Sequence, residues 1–203
     1  MIRPLLRDRA FRLLLAGQTL TMFGDVALLL VLGIWATQLT GSTSVGGAVF
    51  LAVLLPMLVA PLLGMLVDRF PRRKTMIAND LVTALALLPL LLVHSRDGVW
   101  IIFVVGAAYG LSQQVFYAAR TALLQSMLAD DQLGSANAVL EALRQALRVG
   151  GPAIGAALFA MLGGGAVALL DSATFLGSAL LLSFLRVPDI RRGRRRRELS
   201  LVT

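Results

Sequence analysis

Residues 1–37 read MIRPLLRDRAFRLLLAGQTLTMFGDVALLLVLGIWAT, and this stretch decides the fold. Arg3, Arg7, Arg9 and Arg12 come before or within the start of an apolar run that continues to about Trp35, interrupted only by Asp25. A secretory signal would have a short apolar core and then a small-residue cleavage site. This run instead reaches the about 20 residues with which a helix crosses the hydrocarbon of a bilayer, all its backbone groups bonded internally. The pattern predicts a first membrane helix over 11–37.

Five more stretches of the same kind follow, at 44–67, 75–94, 99–127, 135–162 and 165–186. They are parted by Thr40-Gly41-Ser42-Thr43, by Phe70-Pro71-Arg72-Arg73-Lys74, by His94 to Gly98, by Asp130 to Gly134 and by Gly163-Gly164-Gly165. Composition agrees: 58% of residues are hydrophobic, 15% are charged and the mean hydropathy is +0.82. A soluble domain averages about 25% charged residues, and a soluble fold of this size has no interior large enough for so much apolar surface. The expected fold is all-α, a bundle of six transmembrane helices over 1–187 with a basic tail over 188–203. The chain has no cysteine, which excludes disulfides, thiolate metal sites and a cysteine nucleophile.

Charge placement sets an orientation. Fifteen of the 19 Lys and Arg lie in the N-terminal segment, in or beside the second connection, or from Arg186 onward. The opposite side holds only Arg96, and Arg120, Arg144 and Arg148 lie within helices. Lys and Arg concentrate on the cytoplasmic side, so both ends are expected there. The net charge of +8 and the terminal RRGRRRR run could suggest nucleic acid. A topology anchor in contact with anionic lipid is the preferred reading, and no nucleic-acid partner is expected.

Residues three, four and seven apart share a helix face. Gln18, Thr21 and Asp25 form such a stripe on the first helix; Tyr109, Gln113, Tyr117 and Arg120 form one on the fourth; Glu141, Arg144, Gln145 and Arg148 form one on the fifth. Ionisable groups at membrane depth face a bundle interior or a wet cavity. Helices one, four and five are therefore expected to surround a polar interior, with two, three and six facing lipid or a partner. Glu141 with Arg144 and Arg148 reads as a set of intramembrane ion pairs, self-neutralising on one helix. Asp25 stands about 12 residues, or ~18 Å, along the helix from Leu13, with no base within a helical turn. It is either a proton carrier or the acid of a tertiary pair with Arg144 or Arg148. Gly151, Pro152 and Gly155 should bend the fifth helix, as a passive kink or a gating hinge; Pro56, Pro61 and Pro89 should bend the second and third.

Gly64-Met65-Leu66-Val67-Asp68-Arg69-Phe70-Pro71-Arg72-Arg73-Lys74 resembles the signature between helices two and three of the major facilitator superfamily: Gly, three residues, Asp-Arg, two residues, then bases. FRLLLAGQTLTMFGD, AARTALLQSMLADDQLGSANAV and Gly151-Pro152-Ala153-Ile154-Gly155 add to the likeness, which is closest to the enterobactin and macrolide exporters. Pro71 departs from the pattern, where Gly is usual. The resemblance implies half of a twelve-helix fold made of 3+3 helix repeats, with the 188–203 tail as the start of a central linker. It implies that Gly64, Asp68, Arg69, Arg72 and Arg73, with Arg120 as partner to Asp68, form a cytoplasmic latch. It also implies proton-driven export of small amphipathic solutes, of drug or siderophore type, across the inner plasma membrane.

Family members pair two such halves around the substrate, so a second six-helix half is an expected partner, supplied downstream, by a second subunit or by a second copy. A fragment, a truncated product and a self-pairing half all remain open, and a non-transporting membrane scaffold is the alternative function. Enzyme chemistry is not expected: there is no Gly-x-Ser-Gly-like nucleophile, no membrane-depth His, no zinc-ligand spacing and no phosphate loop. No metal or other cofactor is expected.

Overall fold

The computed structural model describes residues 2–185, with side chains from Leu5 onward; Arg186 and the 188–203 tail lie outside the described residues. A short helix α1 (Ile2–Arg7) leads into α2 (Arg9–Thr40). Asp8 caps α2, its Oδ1 accepting the Ala10 N–H at 2.8 Å. Gly41 closes it in the left-handed region at φ 71°, its N–H donating to the Thr37 carbonyl at 2.8 Å. Only glycine takes that conformation without strain, which is why the turn between the first two spans falls there.

The next two spans each break where the sequence places proline. α3 (Thr43–Leu54) passes through a 3-10 turn (Leu55–Val59) that carries Pro56, then α4 (Ala60–Val67) with Pro61 in its first turn. α5 (Arg72–Leu87) ends in a 3-10 turn (Leu88–Leu92) that carries Pro89. A proline removes one helical hydrogen bond and tightens the turn around it. A last short 3-10 turn (Arg96–Gly98) starts α6 (Val99–Met127).

The final element, α7 (Asp130–Ser183), carries two helical arms joined at Gly163, where the sequence suggested separate fifth and sixth spans. With α7 taken as one element, five helices of the described residues are long and apolar enough to cross a membrane. The break falls in the triple glycine, where Gly163, at φ 79° and ψ 170°, leaves the helical region. Its left-handed φ turns the chain, and the arms on either side run in opposite senses along α2. In the first arm (130–162), Gly151 packs on Val26, Gly155 on Ala27 and Phe159 on Trp35. In the second (164–183), Gly164 packs on Trp35, Asp171 on Gly24 and Ser178 on Gly17. The backbone at Pro152 stays helical.

Two apolar clusters hold the bundle. One collects Leu28, Val31, Leu32, Leu87, Leu90 and Ile102; the other collects Phe11, Leu14, Met76, Phe116, Leu123 and Leu182. Between them, α2 carries Gln18 and Thr21, α5 carries Asp80 and Thr83, and the second arm carries Ser178, all buried. A polar belt thus crosses the protein between two apolar plugs. Leu51, Leu54, Leu58, Leu62 and Met65 of the second span, and Val149 and Met161 of the first arm, are exposed.

Candidate functional site

A cavity of about 320 Å³ opens between α2, α6 and the first arm of α7. Its wall brings together the stripes read from helices one, four and five: Gln18, Thr21 and Asp25, then Tyr109, Gln113, Tyr117 and Arg120, then Arg144 and Arg148. The helical period does this. Gln18, Thr21 and Asp25 lie three and seven residues apart on α2, and Tyr109, Gln113, Tyr117 and Arg120 repeat in steps of four and three on α6. Apolar residues complete the wall, among them Met22, Val53 and Phe175.

The two polar ends of the cavity are wired differently. At one, the Tyr109 hydroxyl donates to Asp25 Oδ1 at 2.7 Å and accepts from Gln113 Nε2 at 2.9 Å. Tyr109 is held by an edge-on contact with Phe175 of the second arm, ring centres 6.5 Å apart. No salt bridge joins Asp25 to a base among the described residues, so the pair with Arg144 or Arg148 is not formed in this conformation. A hydroxyl can follow a carboxyl group through both protonation states, donating to it or accepting from it; a guanidinium cannot.

At the other end, Arg120 Nη1 donates to Gln18 Oε1 at 2.6 Å, and the guanidinium lies 4.8 Å from the centre of the Tyr117 ring. Arg144 approaches the same ring at 6.0 Å, and pairs with Glu141 at 3.4 Å. Glu141 also accepts from Gln145 Nε2 at 2.7 Å. This pairing stands on an exposed face of the first arm, and Arg148 is exposed. Tyr117, half exposed, thus has two cations within reach of its ring, an arrangement worth about 0.5–1 kcal/mol per contact at exposed sites.

The loop signature is placed away from the cavity. Gly64 has open space around it, and Asp68 ends α4 on an exposed turn, its N–H bonded to the Gly64 carbonyl at 3.0 Å. No salt bridge joins Asp68 to Arg120 among the described residues, because Arg120 is turned toward Gln18. Arg73 instead reaches the end of the second arm, donating through Nε to the Leu182 carbonyl at 2.9 Å and through Nη2 to that of Ser183. A cation there satisfies carbonyls the helix leaves unbonded and complements its dipole. Arg69 is engaged, and Arg72 is half-buried with its Nε lacking a hydrogen-bond partner.

Sequence reading missed the polar residues of helices three and six. These were expected to face lipid or a partner, yet Asp80, Thr83, Asp171, Ser172 and Ser178 are buried in the bundle. Asp171 Oδ1 accepts from Thr174 at 3.0 Å and lies against Gly24, beside Asp25. Ser172 donates to the Ala84 carbonyl at 2.6 Å, tying the second arm to α5. The available signal was an acid standing inside each apolar run.

Compared with known proteins, residues 14–202 match the profile of the Major Facilitator Superfamily. A curated Bacillus subtilis protein described as an uncharacterised MFS-type transporter, YfiS, is 28% identical over 188 residues, covering 91% of this chain and 44% of the relative. Macrolide efflux protein A of Streptococcus pyogenes is 25% identical over 178 residues, covering 86% of this chain and 44% of the relative. The chain thus spans less than half the length of these relatives. They are transporters, not enzymes, and the apolar helices are those of a multi-pass integral membrane protein.

Proposed function

The chain belongs to the major facilitator superfamily, and from that premise we infer that it is the N-terminal six-helix half of a proton-coupled exporter of small amphipathic solutes in the inner plasma membrane. The observation that carries this reading is the Asp25–Tyr109–Gln113 chain on the cavity wall, an acid whose partner is a hydroxyl and not a base. Such an acid can exchange a proton with the cavity water without breaking a salt bridge. Tyr117, Met22 and Phe175 offer apolar and aromatic surface to a solute, while Gln18, Arg120 and Arg144 meet its polar groups. The two opposed arms of α7 serve as the fifth and sixth spans, and a second six-helix half closes the open side of the cavity. Both ends of the chain then lie in the cytoplasm, where Asp68 and Arg73 contribute to a latch between helix ends.

The test is flux in liposomes holding the protein together with a second half, with an imposed proton gradient and a macrolide or a cationic dye such as ethidium as the probe. Gradient-driven movement that Asp25→Asn abolishes is the expected result. Wild-type coupling in that variant removes Asp25 from the mechanism. No movement of any probe with the second half present favours the scaffold alternative.

A further inference from the structure

Two buried carboxylates, Asp80 and Asp171, take no part in the cavity wall, and of the two Asp171 is hydrogen-bonded, by Thr174. Asp80, on α5, is 0% exposed, and neither of its oxygens has a hydrogen-bond partner. It sits one turn after Met76 of one apolar cluster and one turn before Ala84 of the other, at the centre of the polar belt. Facing it from the second arm is Ser178, whose buried hydroxyl comes near the carboxylate without closing a hydrogen bond of normal geometry. Behind Ser178, α2 presents only Gly17, where a Cβ would stand 3.2 Å from the hydroxyl oxygen.

A charge sealed from water costs several kcal/mol unless it is paired or coordinated. The chain supplies no such partner among the described residues. On α6, Arg120 is committed to Gln18, and what α6 turns toward α5 is the neutral Ser112. On α5 itself, Arg73 is committed to the end of the second arm and Lys74 is exposed. The ionisable group of α2 whose charge reaches Asp80 is Asp25, another acid, and the second arm adds Asp171 two turns from Ser178. No base among the described residues forms a salt bridge with Asp80.

We propose that Asp80 and the Ser178 hydroxyl form a binding site for one monovalent cation, a proton or a sodium ion, distinct from the Asp25 cavity. One carboxylate balances one positive charge. A divalent ion calls for more acids, and no group of three metal-ligating side chains exists among the described residues. Either occupant suits the donors: a proton resides on one carboxyl oxygen with the hydroxyl completing its hydrogen bond, and a sodium ion takes hard oxygen ligands. Polar side chains also stand between the cavity and this part of α5. Ser112 lines the cavity, accepts from Asn79 Nδ2 at 2.9 Å and pairs with the Thr83 hydroxyl, and Thr83 lies one turn from Asp80. The site does not require that Asp25 carry a proton, so it stands or falls apart from the coupling reading.

The experiment uses the purified full chain in detergent. Infrared spectra in choline chloride should contain a protonated-carboxyl band that Asp80→Asn removes and Asp25→Asn keeps; that result assigns the proton. Thermal unfolding with sodium chloride exchanged for choline chloride at constant ionic strength should show, for a sodium site, a sodium-dependent rise that Asp80→Asn abolishes. Identical carboxyl spectra in the wild type and Asp80→Asn, together with no sodium response that depends on Asp80, overturn the proposal. Should Asp80→Asn fail to fold, Ser178→Ala decides. A shifted band or an about tenfold weaker sodium response supports the site, and no change in either overturns it.

Discussion

The residue with most at stake in the cavity is Tyr109, because one hydroxyl serves both Asp25 and Gln113. Tyr109→Phe keeps the ring on Phe175 and deletes only that oxygen. A hydrogen bond to a charged group contributes about 1.5–3 kcal/mol to the folded state, so the variant should unfold at a lower temperature and proton-driven flux should fall about tenfold or more. Measured flux equal to wild type would show that Asp25 needs no hydroxyl partner. Glycines set the other residue-scale limits. A Cβ at Gly110 would overlap the Val53 carbonyl oxygen, which is backbone and cannot step aside. Gly110→Ala should therefore cost about 1–3 kcal/mol and lower the unfolding temperature in detergent. Gly64→Ala, with nothing near it, should not.

At the scale of elements, Arg73 links the start of α5 to the end of α7. Arg73→Ala should destabilise that end by about 1 kcal/mol, seen as faster amide exchange at 180–185, and Lys should restore part of the effect as a charge without the guanidinium fork. Exchange unchanged in the alanine variant would mean the carbonyls are satisfied otherwise. The cavity stripes on α2, α6 and the first arm were legible in the sequence because each repeats on its own helix with helical period. Asp80 and Asp171 were not, since each is a lone acid whose burial depends on what other helices present: bare backbone at Gly24 for one, a buried hydroxyl at Ser178 for the other. The glycine break of α7 was legible as a break. That Gly163 is the one of the three to leave the helical region and turn the chain depends on dihedrals that composition does not encode. The partner of Arg120 was equally hidden, because whether it meets Asp68 or Gln18 depends on how α6 is rotated.

For the whole molecule, hydropathy carried the reading: apolar runs of spanning length already specify a multi-pass bundle, and the placement of the bases predicts which way it faces. Accessibility tags at the two ends should both label from the cytoplasmic side in intact cells; labelling of either from outside would reject the orientation. The absence of cysteine makes a single thiol a clean reporter of the open face. Val149→Cys, on the exposed side of the first arm, should cross-link to a second half in membranes, and labelling by lipid-phase reagents alone would argue for a lone bundle.

The central helix α2 meets its neighbours closely at several points where a side chain is missing: Gly33 against α3, Gly17 and Gly24 against the second arm, and Gly151 and Gly155 of the first arm against Val26 and Ala27. Each hollow is filled from the opposite side, by Phe50, Ser178, Asp171, Val26 or Ala27, so every one is a socket with a tooth seated in it. Tilting about α2 has to lift those teeth together, so the barrier to rocking should be high in enthalpy and the temperature coefficient of turnover steep.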